Sequence, residues 1–93
     1  MKTVTVLIGN SDNKLTQAAW SGFIADLTDI VFERMDVTHF RGHSNPESIY
    51  QNHAIVFTID DSKIEVLKNS LRELKDIFKQ DSIALVLGDS EFV

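Results

Sequence analysis

The chain has 93 residues, of which 43% are hydrophobic and one is proline, enough for one folded domain spanning residues 1–93 and too few for a second. Its formal charge of -5 opposes non-specific adhesion to nucleic acid or an anionic membrane and favours a basic partner. With no cysteine, disulfides, thiolate zinc sites and cysteine nucleophiles are excluded, and cytoplasmic residence is the expected location.

Thr3 to Gly9 alternates Val4, Val6 and Ile8 against Thr3, Thr5 and Leu7, which predicts a strand with one buried face. The segment is short and lacks a small-residue cleavage site, so it reads as a strand rather than a signal peptide. A polar turn follows from Gly9 to Leu15, rich in Asn, Asp and Ser, residues that favour tight backbone reversal. Thr16 then suits an N-cap, with Leu15 and Trp20 as a hydrophobic staple. From Gln17 the period changes: Trp20, Phe23, Ile24, Leu27 and Val31 form one stripe on a helix expected to end near Phe32 or Glu33. Gly22 in that helix permits close approach to the sheet.

Asp36 to Gly42 is the second predicted strand and the least hydrophobic one. It ends at Ser44-Asn45-Pro46-Glu47, where proline suits the first position of a short helical turn. His53 to Ile59 is the third strand, with Ile55, Phe57 and Ile59 opposing Ala54, Val56 and Thr58. Ser62 and Glu65 have capping-box spacing. After them Ile64, Leu67, Leu71, Leu74 and Phe78 mark a second amphipathic helix, and Ile83 to Leu87 is the last strand. The order β-α-β-β-α-β predicts a ferredoxin-like α+β domain: a split βαβ arrangement with two helices on one face of a four-stranded antiparallel sheet. Right-handed crossovers place the first and third strands in the centre.

Chemistry is sparser than architecture. The Gly9–Leu15 turn lacks both the P-loop and the dinucleotide fingerprint, and no cofactor is implied. His39, His43 and His53 fall near the hairpin of the second and third strands. Asp36 or Glu47 is the available carboxylate there, but the spacing matches no zinc pattern and no metal site is assigned. Arg41, His43 and His53 are the candidate ligand-binding residues. In an acid–base reading a histidine serves as base, Asp36 orients it and Arg41 holds an anion. No catalytic nucleophile is identified, and an enzyme is the less favoured class. RNA recognition by such a sheet needs stacking aromatics on the central strands. The open faces of the first and third strands offer none, so direct nucleic-acid binding is not expected. Leu7, Phe40, Val56, Ala84 and Val86 instead form an exposed apolar face that a homodimer or another protein would cover.

Ile8-Gly9-Asn10-Ser11-Asp12-Asn13-Lys14-Leu15-Thr16-Gln17, followed by Trp20 and Phe23, resembles a segment of small acidic proteins found in phages and prophage-bearing bacteria. A looser echo lies in Gly42-His43-Ser44-Asn45-Pro46 and Gln51-Asn52. The resemblance implies no catalytic residue. It implies a protein-binding module that occupies a basic, nucleic-acid-receiving surface of a host defence protein, as many anti-CRISPR proteins do. Residues 47–93 carry nine acids against five bases. Asp60, Asp61, Glu65, Glu73, Asp76, Asp89 and Glu91 are the carboxylates that would mimic nucleic-acid charge toward such a protein partner. The alternatives are a homodimeric small-ligand-binding protein or enzyme with a pocket at Arg41, His43 and His53, and a phage structural or accessory component.

Overall fold

The computed structural model describes residues 1–10, 14–45 and 51–93. Its elements are β1 (Lys2–Gly9), α1 (Gln17–Asp29), a π-helical turn (Ile30–Met35), β2 (His39–His43), β3 (Asn52–Ile59), α2 (Ile64–Ile77) and β4 (Ala84–Asp89). The four strands lie in the order β2-β3-β1-β4 with every pairing antiparallel. This is the ferredoxin-like arrangement, with β1 and β3 central as the crossover rule requires.

The alternation read from the sequence sets which face is dry. Val4, Val6 and Ile8 of β1 and Ile55, Phe57 and Ile59 of β3 are buried against the helices. Trp20, Phe23 and Leu27 of α1 and Leu67, Leu71 and Leu74 of α2 complete that core. Burying such side chains supplies about 1.5–3 kcal/mol each. The opposite sheet face stays open, with Leu7, Phe40, Val56 and Val86 all exposed.

Local details depart from the sequence expectations in instructive ways. Thr16 does cap α1, its hydroxyl accepting from the Ala19 amide at 3.1 Å. The helix runs past Phe32 and Glu33 as a π-helical turn that buries Ile30, Val31 and Met35. Asp36 ends it with φ 53°, a left-handed conformation that aspartate tolerates better than most residues. Asp36 therefore cannot continue a strand, and β2 begins only at His39.

The Ser62–Glu65 capping box does not form. Asp60 takes the capping role instead, accepting from the Ser62 amide at 2.9 Å ahead of a 3₁₀ turn. Gly22 approaches the second helix's end rather than the sheet, since a Cβ there would meet the Phe78 ring at 3.6 Å. The Ser11–Asn13 part of the polar turn and the expected turn at Pro46 lie outside the described residues.

Candidate functional site

One end of the sheet gathers most of the unusual polar chemistry. Register places His43 of β2 directly across from His53 of β3, and His53 across from Ile8 of β1. Both histidines sit on the helix side of the sheet, where α1 brings Trp20 and Ile24 over them. The result is a cavity of about 290 Å³ lined by Trp20, Ile24, His43 and His53, with Ser44, Asn45, Gln51 and Asn52 at its polar wall. Among the described residues no lysine, arginine or carboxylate is in that lining.

The polar wall is fixed by hydrogen bonds that begin at Asn10, which is 2% exposed. Its amide donates to the Leu15 carbonyl at 3.0 Å and to Gln51 Oε1 at 2.9 Å, and its oxygen accepts from the Leu15 amide at 2.9 Å. Gln17 and Gln51 exchange side-chain hydrogen bonds at 3.1 and 2.7 Å. On the hairpin side, Ser44 and Asn52 pair through the Ser44 amide at 3.0 Å and the Ser44 hydroxyl at 3.1 Å. His43 Nδ1 lies 2.8 Å from the Ser44 carbonyl. A carbonyl only accepts, so Nδ1 carries the proton and Nε2 is free to meet a ligand.

His53 is the least comfortable member of the group. It is 6% exposed, and its Nε2 is buried with no hydrogen-bond partner. Burial, followed by the nearby Arg41 and His43, holds its pKa below the ordinary 6.5. The unfolded imidazole therefore takes up a proton at a pH where the folded one does not, and the His53 contribution is intact above about 6.5 and lost as pH falls through the lower, folded value. Thermal melts should show stability declining below pH 6.5, with a slope of at most about 1.4 kcal/mol per pH unit. His53→Leu should flatten that slope without loss of stability at pH 8, because it removes an unpartnered buried nitrogen. An unchanged slope would rule out His53 as its source.

The other candidate residues are dispersed. Arg41 is exposed on β2, close enough to act on His53 electrostatically yet outside the cavity lining. His39 sits at the far end of β2 from His43, its ring edge-on to Phe32 at 6.3 Å. Asp36 precedes β2 at that same far end, so it cannot orient His43 or His53. Among the described residues no group of three potential ligands could hold a metal ion, and Glu47 lies outside them.

Of the seven acidic candidates, Asp60, Asp61 and Asp89 gather round the Met1–Lys2 end of β1, whereas Glu73 lies elsewhere. Asp61 pairs with the Met1 amine at 3.0 Å, Glu65 with Lys68 at 3.7 Å and Asp76 with Lys75 at 3.3 Å. Asp89 pairs with Lys2, an interaction that raises the lysine pKa and lowers the aspartate pKa. Hydrogen bonds from Ser62 lower the pKa of Asp60. Glu73 faces a separate cleft between the helices with Asp26, Asp29 and Glu33, where Arg34 donates to the buried Ser70 hydroxyl at 3.1 Å. Asp26, Asp29 and Glu33 escaped the sequence reading because they lie in the less acidic half of the chain.

No protein-family model matches the chain, and no curated protein matches it. Among solved structures it is similar to a dimeric ferredoxin-like protein of unknown function from Thermobifida fusca, with TM-score 0.64 and 9% identity over 95% of this chain and 90% of that one. It is also similar to the de novo designed protein Foldit4, with TM-score 0.52 and 12% identity over 97% of this chain and 96% of that one. At such identities the likeness is one of fold. No helix of the described residues is long and apolar enough to cross a membrane.

Proposed function

We propose that this chain is a homodimeric small-ligand-binding domain whose pocket is the cavity beside His43 and His53. The observation that carries this reading is the buried His53 imidazole, which lines the cavity while its Nε2 has no hydrogen-bond partner. A leucine would pack there without that penalty, so the histidine calls for a reason beyond stability. Concave apolar sites with a few fixed polar groups are the usual form of small-molecule pockets. Among the described residues, an aromatic wall, amide groups and imidazoles without a fixed charge in the lining suit a neutral heteroaromatic molecule of one or two rings.

The homodimer half of the proposal draws on the exposed sheet face and on the dimeric state of the Thermobifida fusca protein that shares the fold. A charge-mimicking surface for a basic protein partner fits less well. Four of its seven carboxylates are paired within the chain, and Glu73 faces the separate cleft between the helices.

Trp20 is the only tryptophan in the chain and lines the cavity, so it reports occupancy directly. Titration with indole derivatives is unsuitable because they fluoresce, but adenine, nicotinamide and phenol serve as probes. At least one should shift Trp20 emission saturably, and Ile24→Trp, which fills the cavity from α1, should abolish its binding in calorimetry. If none of the three binds to the wild-type protein, the ligand reading fails.

A further inference from the structure

Among the described strand residues, the open sheet face carries no charged side chain, in a chain where 25% of residues are charged. Register sorts this face into rows. One row runs Phe40, Val56, Thr5, Val86 across β2, β3, β1 and β4, and the next runs Gly42, Ala54, Leu7, Ala84. Beyond the first row, on the other side, Thr58, Thr3 and Gly88 are aligned. Phe40 is 73% exposed and Val86 54%, so the two edge strands present their side chains fully to whatever lies opposite.

Charge selects the occupant. A basic protein attracted by the net charge of -5 would find no carboxylate on this face, and desolvating its own lysines there would go uncompensated. Two copies of this chain repel each other over most of their surface and meet without like-charge contact only where both are neutral. The open face meets that condition, which makes a second copy its matching partner.

We infer that two copies pack open face to open face about a two-fold axis running along the strands between β1 and β3, so that β2 of one copy lies over β4 of the other. This rests on the homodimer half of the proposed function and adds its register. Rotation about that axis keeps each row at its own height and reverses its order. Phe40 then lies over Val86 of the second copy, Val56 over Thr5, Leu7 over Ala54 and Gly42 over Ala84. Phe40, Val56 and Leu7 each meet a smaller side chain, which suits the spacing of about 10 Å between packed sheets. An axis across the strands would instead lay β2 over β2 and β4 over β4 of the second copy, so that Phe40 falls beside its own counterpart at one edge and Val86 beside its own at the other.

The absence of native cysteine makes the test direct. Phe40→Cys and Val86→Cys are made as separate single variants, each checked for native circular dichroism, and co-expressed with different tags. A bismaleimide spanning roughly the 10 Å between packed sheets is then added. The expected result is a dimeric sedimentation coefficient for the wild type, strong cross-linking between Phe40→Cys and Val86→Cys chains, and at least ten times less cross-linking of either variant with itself. A sedimenting dimer in which Phe40→Cys links mainly to Phe40→Cys overturns this register and leaves the homodimer intact. A monomer at all concentrations up to about 1 mM overturns the register and the homodimer together. A dimer in which neither combination cross-links places the interface elsewhere and also overturns the register. The Trp20 titration reads the pocket independently of all these outcomes.

Discussion

Replacing Phe23 by alanine is expected to cost about 3–5 kcal/mol, the largest loss from a single side chain in this domain. Phe23 is 1% exposed. Its ring stacks on Phe78 with centroids 4.9 Å apart and planes 20° from parallel, and meets Trp20 edge-on at 6.1 Å. Phe78 closes the end of α2, so Phe23 is the point where the first helix grips the second as well as the sheet. The cavity left by its removal cannot collapse easily, because Gly22 beside it already lets the Phe78 ring sit close. Against a total stability of roughly 5–15 kcal/mol for a domain of this kind, the variant would sit near the threshold of unfolding. Urea denaturation followed by circular dichroism provides the measure. Phe92→Ala, at a residue 75% exposed, should shift the midpoint little and serves as the control. Equal midpoints for the two variants would disprove this account of the helix contact.

The same contact shows what periodicity reveals and what it leaves out. Phe23 and Phe78 were both legible as core residues from three- and four-residue spacing, because a helix stripe is a local property. That they stack on each other depends on how two distant helices cross, which no local pattern encodes. Strand order followed from β-α-β-β-α-β because handedness leaves few choices.

Asp36 shows the opposite failure. Alternation through Val37 and His39 suggested a strand, but a π-helical turn ran into it and used the left-handed conformation of Asp36 to stop. Likewise the Ser62–Glu65 spacing was a true capping pattern that lost to Asp60, two residues earlier and equally able to accept from a free amide. The candidate site was half legible. His43 and His53 were legible as members of one candidate group, but the predicted strand stopped at Gly42 and left His43 in the connection, so their pairing across β2 and β3, like the roles of Trp20 and Gln51, needed the structure.

Asn10→Ala is the second substitution expected to act strongly, and it probes the joint between β1 and α1 together with the cavity. Without the amide, the Leu15 N–H and carbonyl both lose the partners they have at 2.9 and 3.0 Å. Leaving buried polar groups unsatisfied costs about 1–3 kcal/mol each, and partial access of water to Leu15 brings the expected loss to about 2–4 kcal/mol. Asn10→Asp should rescue little. A carboxylate can accept from the Leu15 N–H but repels the Leu15 carbonyl and Gln51 Oε1, both of which accept hydrogen bonds from the asparagine amide. Gln17→Ala, at an exposed position, also removes a hold on Gln51 but leaves Leu15 satisfied, and should cost under about 1 kcal/mol. The three variants thus separate the joint from the pocket. If Asn10 matters through Leu15, Asn10→Ala and Asn10→Asp lower the denaturation midpoint strongly while Gln17→Ala does not. If Gln51 orients a ligand, all three weaken binding of the best small-molecule probe, Gln17→Ala included, by several-fold. A Gln17→Ala variant with unaltered affinity would remove Gln51 from the ligand site, and an Asn10→Ala variant as stable as wild type would remove Asn10 from its place as the buried latch.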